Sequence, residues 1–97
     1  MLFAINNLDK PDGFALRAAT RETHLAYLEG LVSQLVIGGP LLNAEGKSIG
    51  SLVIIEAESQ DAAEAIAAGD PYAKAGLFQS VTVTPFRAVY KDAARVG

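Results

Sequence analysis

The runs of this chain that read as β-strands are apolar on both alternating faces, and no other feature restricts its fold as much. Phe3 and Ala4, Val36 and Ile37, and Val53 and Ile54 are adjacent pairs, so each pair sends one apolar side chain to either side of a sheet. A sheet built from them has two faces to cover. A chain of 97 residues supplies one core and no second domain with which to do it.

The order of elements says how much of that covering the chain provides itself. Leu2–Asn7 reads as a first strand, broken by Pro11-Asp12-Gly13. Helical spacing then runs from Phe14 to Glu29, where Phe14, Ala18, Leu25 and Leu28 share one apolar stripe and Gly30 offers a stop. Gln34–Leu42 and Ser48–Glu58 flank the turn residues Asn43-Ala44-Glu45-Gly46-Lys47 and predict a hairpin. Ser59 caps a helix from Gln60 to Ala68 that Gly69 ends, and Asp70-Pro71 caps one more turn, Tyr72–Ala75, closed by Gly76. A last strand runs from Leu77 to Phe86. The pattern is β-α-β-β-α-β, the ferredoxin-like α+β fold with a four-stranded antiparallel sheet. It is one domain over residues 1–97, with residues 88–97 as a C-terminal tail.

Right-handed crossovers put both helices on the same side of that sheet. Leaving roughly half a dozen apolar side chains of the other side in water would forfeit on the order of 10 kcal/mol at ~25 cal/mol per Å². That is comparable with the whole stability of a small domain. A symmetric homodimer with facing sheets resolves the problem; the alternative is that the tail, Tyr90–Gly97, folds over the face.

Composition narrows the partners. Hydrophobic residues make up 51% of the chain and charged residues 20%, which is inconsistent with disorder. Eleven acids against eight Lys and Arg leave a net charge of −3, so there is no basic field to attract nucleic acid or an anionic membrane. The absence of cysteine rules out a disulfide scaffold, a thiolate nucleophile and a cysteine-ligated metal. The first residues lack the pattern of a secretory signal and no apolar run is long enough to span a bilayer, so a cytoplasmic location is expected.

Chemistry concentrates on the first helix, where Arg17, Arg21 and His24 are spaced i, i+4 and i+7 and share a side. Arg21 falls near Phe14 and Leu25 on the helical wheel. Either its stem lies on the core and its head pairs with a neighbour such as Glu22, or it flanks a pocket with Arg17 and receives a carboxylate or enolate. His24 is the only histidine. It is a hydrogen-bonded structural group or a proton carrier, and no second histidine or thiolate exists to complete a metal site. Asp70 precedes Pro71 and accounts for itself as a helix cap worth about 1 kcal/mol. Gly38-Gly39-Pro40 permits a bulge or a close backbone approach and lacks the spacing and lysine of a phosphate loop. Ser51, after Gly50, has no nucleophile-elbow context and reads as a pocket hydroxyl.

Taken together, Arg17-x-x-x-Arg21-x-x-His24-Leu25, Gly39-Pro40, Gly50-Ser51, Glu58-Ser59 with Ala62-Ala63, and Asp70-Pro71-Tyr72 followed by Gly76 and Pro85-Phe86 resemble the YciI-like (YCII-related) family over nearly the whole chain. Only the stretch between Asn43 and Ile49 looks shorter than in some relatives, which would alter the rim of a cleft. The resemblance implies a ferredoxin-like domain that dimerises in the manner of the dimeric α/β barrels. It also implies an active site built on a histidine and an aspartate, which here match His24 and Asp70, and one member is associated with dechlorination of a hydroxylated aromatic. On that basis Asp70 orients His24, which moves a proton on a small anionic or phenolic substrate while Arg17 or Arg21 holds its oxygen and Ser51 contributes a hydroxyl. One oxygen of Asp70 would then accept from backbone and the other face the imidazole. No cofactor is required. The alternative is a homodimer that binds a small ligand without turning it over, and an iron or haem site would have His24 as its sole strong ligand.

Overall fold

In the computed structural model, which describes residues 1–97, the alternating runs become β1 (Leu2–Asp9), β2 (Leu35–Leu42), β3 (Ser48–Glu56) and β4 (Phe78–Phe86). Helices α1 (Phe14–Glu29) and α2 (Gln60–Gly69) and the single turn α3 (Pro71–Lys74) lie between them. The strands join antiparallel in the order β2-β3-β1-β4, so the ferredoxin-like α+β fold expected from the sequence is the fold found. No helix is long and apolar enough to cross a membrane.

Local chemistry explains the boundaries. Ser59 accepts a hydrogen bond from the N–H of Ala62 and starts α2, and Asp70 accepts from Tyr72 N–H with Pro71 at the first position of α3. The β2–β3 turn is held by Asn43 Oδ1, which accepts from the N–H groups of Glu45 and Lys47, while Gly46 takes the φ of +82° that the turn needs. Residues 88–97 form a ribbon of β5 (Tyr90–Lys91) against β6 (Ala94–Arg95), turned by Asp92 and Ala93 at φ 53° and 63°.

The β1/β3 register sets the core. Phe3 faces Ile55, Ile5 faces Val53 and Asn7 faces Ser51, all buried on the helix side. α2 packs on that side through Ala63 and Ala67, small residues that let the helix sit close to the sheet.

α1 departs from the sequence reading. Its apolar stripe was expected to be its inward face, yet Phe14 and Ala18 are exposed, Leu25 and Leu28 are half-buried, and the buried residues of the helix are Arg17 and His24. The reason is that α1 packs against α3 and roofs a cavity, so its inward side meets polar partners and open space rather than the sheet's side chains.

The other side of the sheet carries Ala4 and Leu8 from β1, Leu52 and Ile54 from β3, Ile37 from β2 and Phe86 from β4. Tail residues Ala88, Tyr90, Lys91 and Asp92 share one groove there with Leu2, Ile37, Ile54 and Phe86. The tail covers only that end, because Ile37 is still 65% exposed and Phe86 44%.

Candidate active site

Three elements converge on a cavity of about 230 Å³ beneath α1. α1 contributes Arg17, Arg21 and His24; the β2–β3 hairpin contributes Gly38, Gly39, Pro40, Ser48, Ser51 and Val53; α3 contributes Tyr72. Its place is between sheet and helix within one chain. Gly38-Gly39-Pro40 form its wall as part of a regular edge strand, and the β2 irregularities fall elsewhere, between Leu35 and Ile37 and between Leu41 and Leu42. A cavity of about 150 Å³ already admits benzene, so this one has room for a substituted ring.

His24 Nδ1 lies 2.9 Å from Asp70 Oδ1, and both side chains are buried. A carboxylate only accepts, so Nδ1 carries the proton and donates it to Asp70. Nε2, on the far side of the ring, is left as the imidazole's acceptor. The same Oδ1 accepts from the backbone N–H of Tyr72 at 2.9 Å. This corrects the expected division of labour between the two oxygens of Asp70. Asp70 is the last cap of α2 and the first of α3, so the corner between them fixes that oxygen before the imidazole arrives.

A second constraint on His24 is aromatic. The Tyr72 ring stacks on the imidazole with centroids 4.0 Å apart and planes 17° from parallel, and Arg17 Cζ lies 4.5 Å from the Tyr72 centroid. Arg17 and His24 are two helical turns apart, about 10 Å of rise, so the ring fits between guanidinium and imidazole. Phe78 meets Tyr72 edge-on at 6.0 Å.

Of the two arginines expected to flank a pocket, Arg17 is engaged within the fold and Arg21 is not. Arg17 is buried, with Nε and Nη2 donating to Asp9 Oδ2 and Oδ1 at 2.8 and 3.0 Å, a bidentate pair that ties the end of β1 to α1. Burial pulls its pKa down, but the hydrogen bond and charge of Asp9 outweigh that and leave it raised. Arg21 does not lay its stem on the core: its side chain is 63% exposed at the cavity rim, and its Nη1 is 3.8 Å from Glu22 Oε1, too long and too wet a contact to hold it. Arg21 is therefore the cavity-lining cation whose head is not held by a carboxylate.

Burial raises the pKa of the Tyr72 phenol, against the lowering effect of Arg17 and with help from the charge of Asp70. Tyr72 is thus a neutral ring at ordinary pH, suited to stacking rather than to proton abstraction. Tyr27, whose hydroxyl donates to Ile66 O at 2.7 Å, is raised in the same direction by burial and then by Asp70. Ser51 is buried within β3, and it accepts from Asn7 Nδ2 at 3.0 Å. No three His, Asp or Glu side chains converge as a metal site would require.

Sequence reasoning missed Asp9, Tyr72 and Asn7. Tyr72 stood beside Asp70 in a quoted motif, and its aromatic character after a cap was the available signal. Asp9 and Asn7 gave none, because their partners lie on other elements.

The YCII-related domain matches residues 1–87. The YciI protein of Escherichia coli O6:H1 is 38% identical over 98 residues, covering 93% of this chain and all of that protein, and an uncharacterized protein of Haemophilus influenzae matches with the same figures. Among solved structures, a 5-chloro-2-hydroxyhydroquinone dehydrochlorinase from Burkholderia phenoliruptrix AC1100, in complex with 2,5-dihydroxybenzoquinone, is 38% identical with a TM-score of 0.85. That likeness covers 90% of this chain and 94% of the other. With its sheet order, its domain match and these full-length likenesses in agreement, the chain belongs to the YCII-related domain family.

Proposed function

We propose that this protein is a cofactor-independent acid–base enzyme of lyase or isomerase type, acting on a small phenolic or anionic ring compound, with halide elimination from a halogenated polyphenol as the leading reaction. The observation that carries the reading is the His24 Nδ1–Asp70 Oδ1 hydrogen bond of 2.9 Å beside the cavity, which leaves Nε2 as the acceptor. Nε2 takes a hydroxyl proton and returns it to the halogen-bearing carbon. Loss of a second hydroxyl proton then forms a carbonyl as the halide leaves with its bonding pair. The net change is one proton and one halide lost, so no outside oxidant or reductant is needed. Arg21 at the rim holds the developing phenolate. The activity in the name of the Burkholderia phenoliruptrix protein supports this choice of reaction.

The test is chloride release from 5-chloro-2-hydroxyhydroquinone under anaerobic conditions, together with calorimetric titration with 2,5-dihydroxybenzoquinone. Saturable binding and catalytic chloride release are expected. Neither occurring would refute the reading. Binding without turnover, undiminished in H24A, would instead favour a non-catalytic ligand-binding role.

We further propose that the working form is a homodimer joined through the open side of the sheet. Leu8, Ile37, Leu52 and Phe86 are all well exposed there, and the tail covers only one end. Sedimentation is expected to give a dimer, and I37K a monomer with the cavity side unchanged. A wild-type monomer at micromolar concentration would end this proposal.

A further inference from the structure

The β1/β3 register sets Asn7 opposite Ser51, and both are buried to 3% exposure. The strands approach closely here: a Cβ on Gly50 would stand 2.4 Å from the Asn7 carbonyl oxygen, so only glycine fits and the Asn7 backbone is pinned. Asn7 Nδ2 donates to Ser51 Oγ at 3.0 Å, and Asn7 Oδ1 has no hydrogen-bond partner. An amide nitrogen has no lone pair to offer, so the Ser51 hydrogen cannot be directed back at it. Turning the amide over would satisfy the oxygen but leave both hydrogens of the NH₂ group without an acceptor, where the present orientation leaves one. Unpaired donors cost more than an under-used carbonyl oxygen. The hydroxyl hydrogen is thus left to face the cavity that Ser51 lines with His24 and Arg21.

We propose that Asn7 is a positioning residue that makes the Ser51 hydroxyl an obligatory donor into the cavity, so that the site selects ligands presenting a carbonyl or phenolate oxygen at that point. The proposal rests on the acid–base reading for its ligand class but not for the direction of the hydroxyl. An oxygen held by Ser51 and Arg21 would lie on the same ring whose proton His24 moves. Selection would therefore favour oxyanions and quinone carbonyls over methyl ethers, which present a weaker and bulkier acceptor.

A neutron structure of the deuterated protein reads the hydroxyl directly. Deuterium on the cavity side of Ser51, with the Asn7 nitrogen toward it, is expected; deuterium on the line to an Asn7 oxygen would overturn the proposal. The dissociation constant of 2,5-dihydroxybenzoquinone supplies the second arm. N7A and S51A are each expected to weaken binding by about fivefold to tenfold, the worth of one hydrogen bond. The double variant should be no worse than S51A alone. N7D, which can only accept, should capture the hydroxyl and weaken binding more than N7A; if N7D fails to fold, the N7A/S51A cycle still decides. Equal losses from N7A with and without Ser51 would mean a merely structural role and would overturn the proposal. Failure of the wild type to bind the quinone would remove the ligand reading, while the neutron map would still fix the hydroxyl's direction.

Discussion

H24A is expected to lower kcat for chloride release by about 10²–10⁴-fold, the usual worth of a general base, with a smaller effect on KM. On the proposed mechanism the side chain removed is the proton carrier, whereas ligand binding would be shared with other residues lining the cavity, Arg21 and Ser51 among them. D70N separates the two duties of the carboxylate. An amide oxygen can still accept from Tyr72 N–H, so the α2–α3 corner and the circular dichroism spectrum should be retained. On the proposed mechanism the charge that would stabilise the imidazolium is gone, and a loss of about 10²-fold or more in kcat is expected. D70A removes the cap as well and should add about 1 kcal/mol of destabilisation. Wild-type kcat in D70N, with its fold intact, would reduce Asp70 to a cap and leave His24 working without an orienting acid.

The largest loss of stability is expected from D9A. Its removal strands the Arg17 guanidinium, whose side chain is only 11% exposed, with no other carboxylate bonded to it. Breaking a buried pair from one side costs about 3–5 kcal/mol, a large part of the roughly 5–15 kcal/mol that holds a domain of this kind together. Thermal denaturation should register a fall in Tm on the order of 15 °C, at about 4–8 °C per kcal/mol for this size. Removing both charges is gentler: the D9L/R17M double variant should recover most of the lost Tm, since it leaves no unpaired ion behind. It should not recover activity, because the guanidinium face on Tyr72, and with it the stack that orients His24, is lost. A fall of only a few degrees in D9A would mean that water reaches Arg17 in solution.

The framework was legible in the sequence because its signals are local. Phe14–Glu29 is helical in both readings, as helical periodicity and Gly30 fix it without help from the rest of the chain. The caps at Ser59 and Asp70 sit where their side chains and Pro71 predict them. What the helical wheel does not carry is the surface that a helix meets. It groups Arg17, Arg21 and His24 on one side but is silent on whether that side faces packed side chains or a cavity, so it cannot tell which of the two arginines is tied up by a carboxylate and which keeps its head at the cavity rim. The Asp9–Arg17 pair depends on where β1 ends relative to α1. The Asn7–Ser51 bond depends on the register of strands 44 residues apart, which no short-range pattern encodes. Tyr72 was visible as a residue and invisible as a contact, because its stacking requires α3 to fold back against α1.

The single oxygen of Asp70 that serves both the corner and the imidazole has an evolutionary corollary. If His24 moves a proton as proposed, a descendant that abandoned the reaction would still need an acid or its amide at that position to turn from α2 into α3, while the imidazole, held by Asp70 and Tyr72, caps no helix and turns no corner. Among such descendants the aspartate would persist as a fossil of the fold, and a histidine exchanged for another flat ring that still stacks on Tyr72 would date the loss of chemistry.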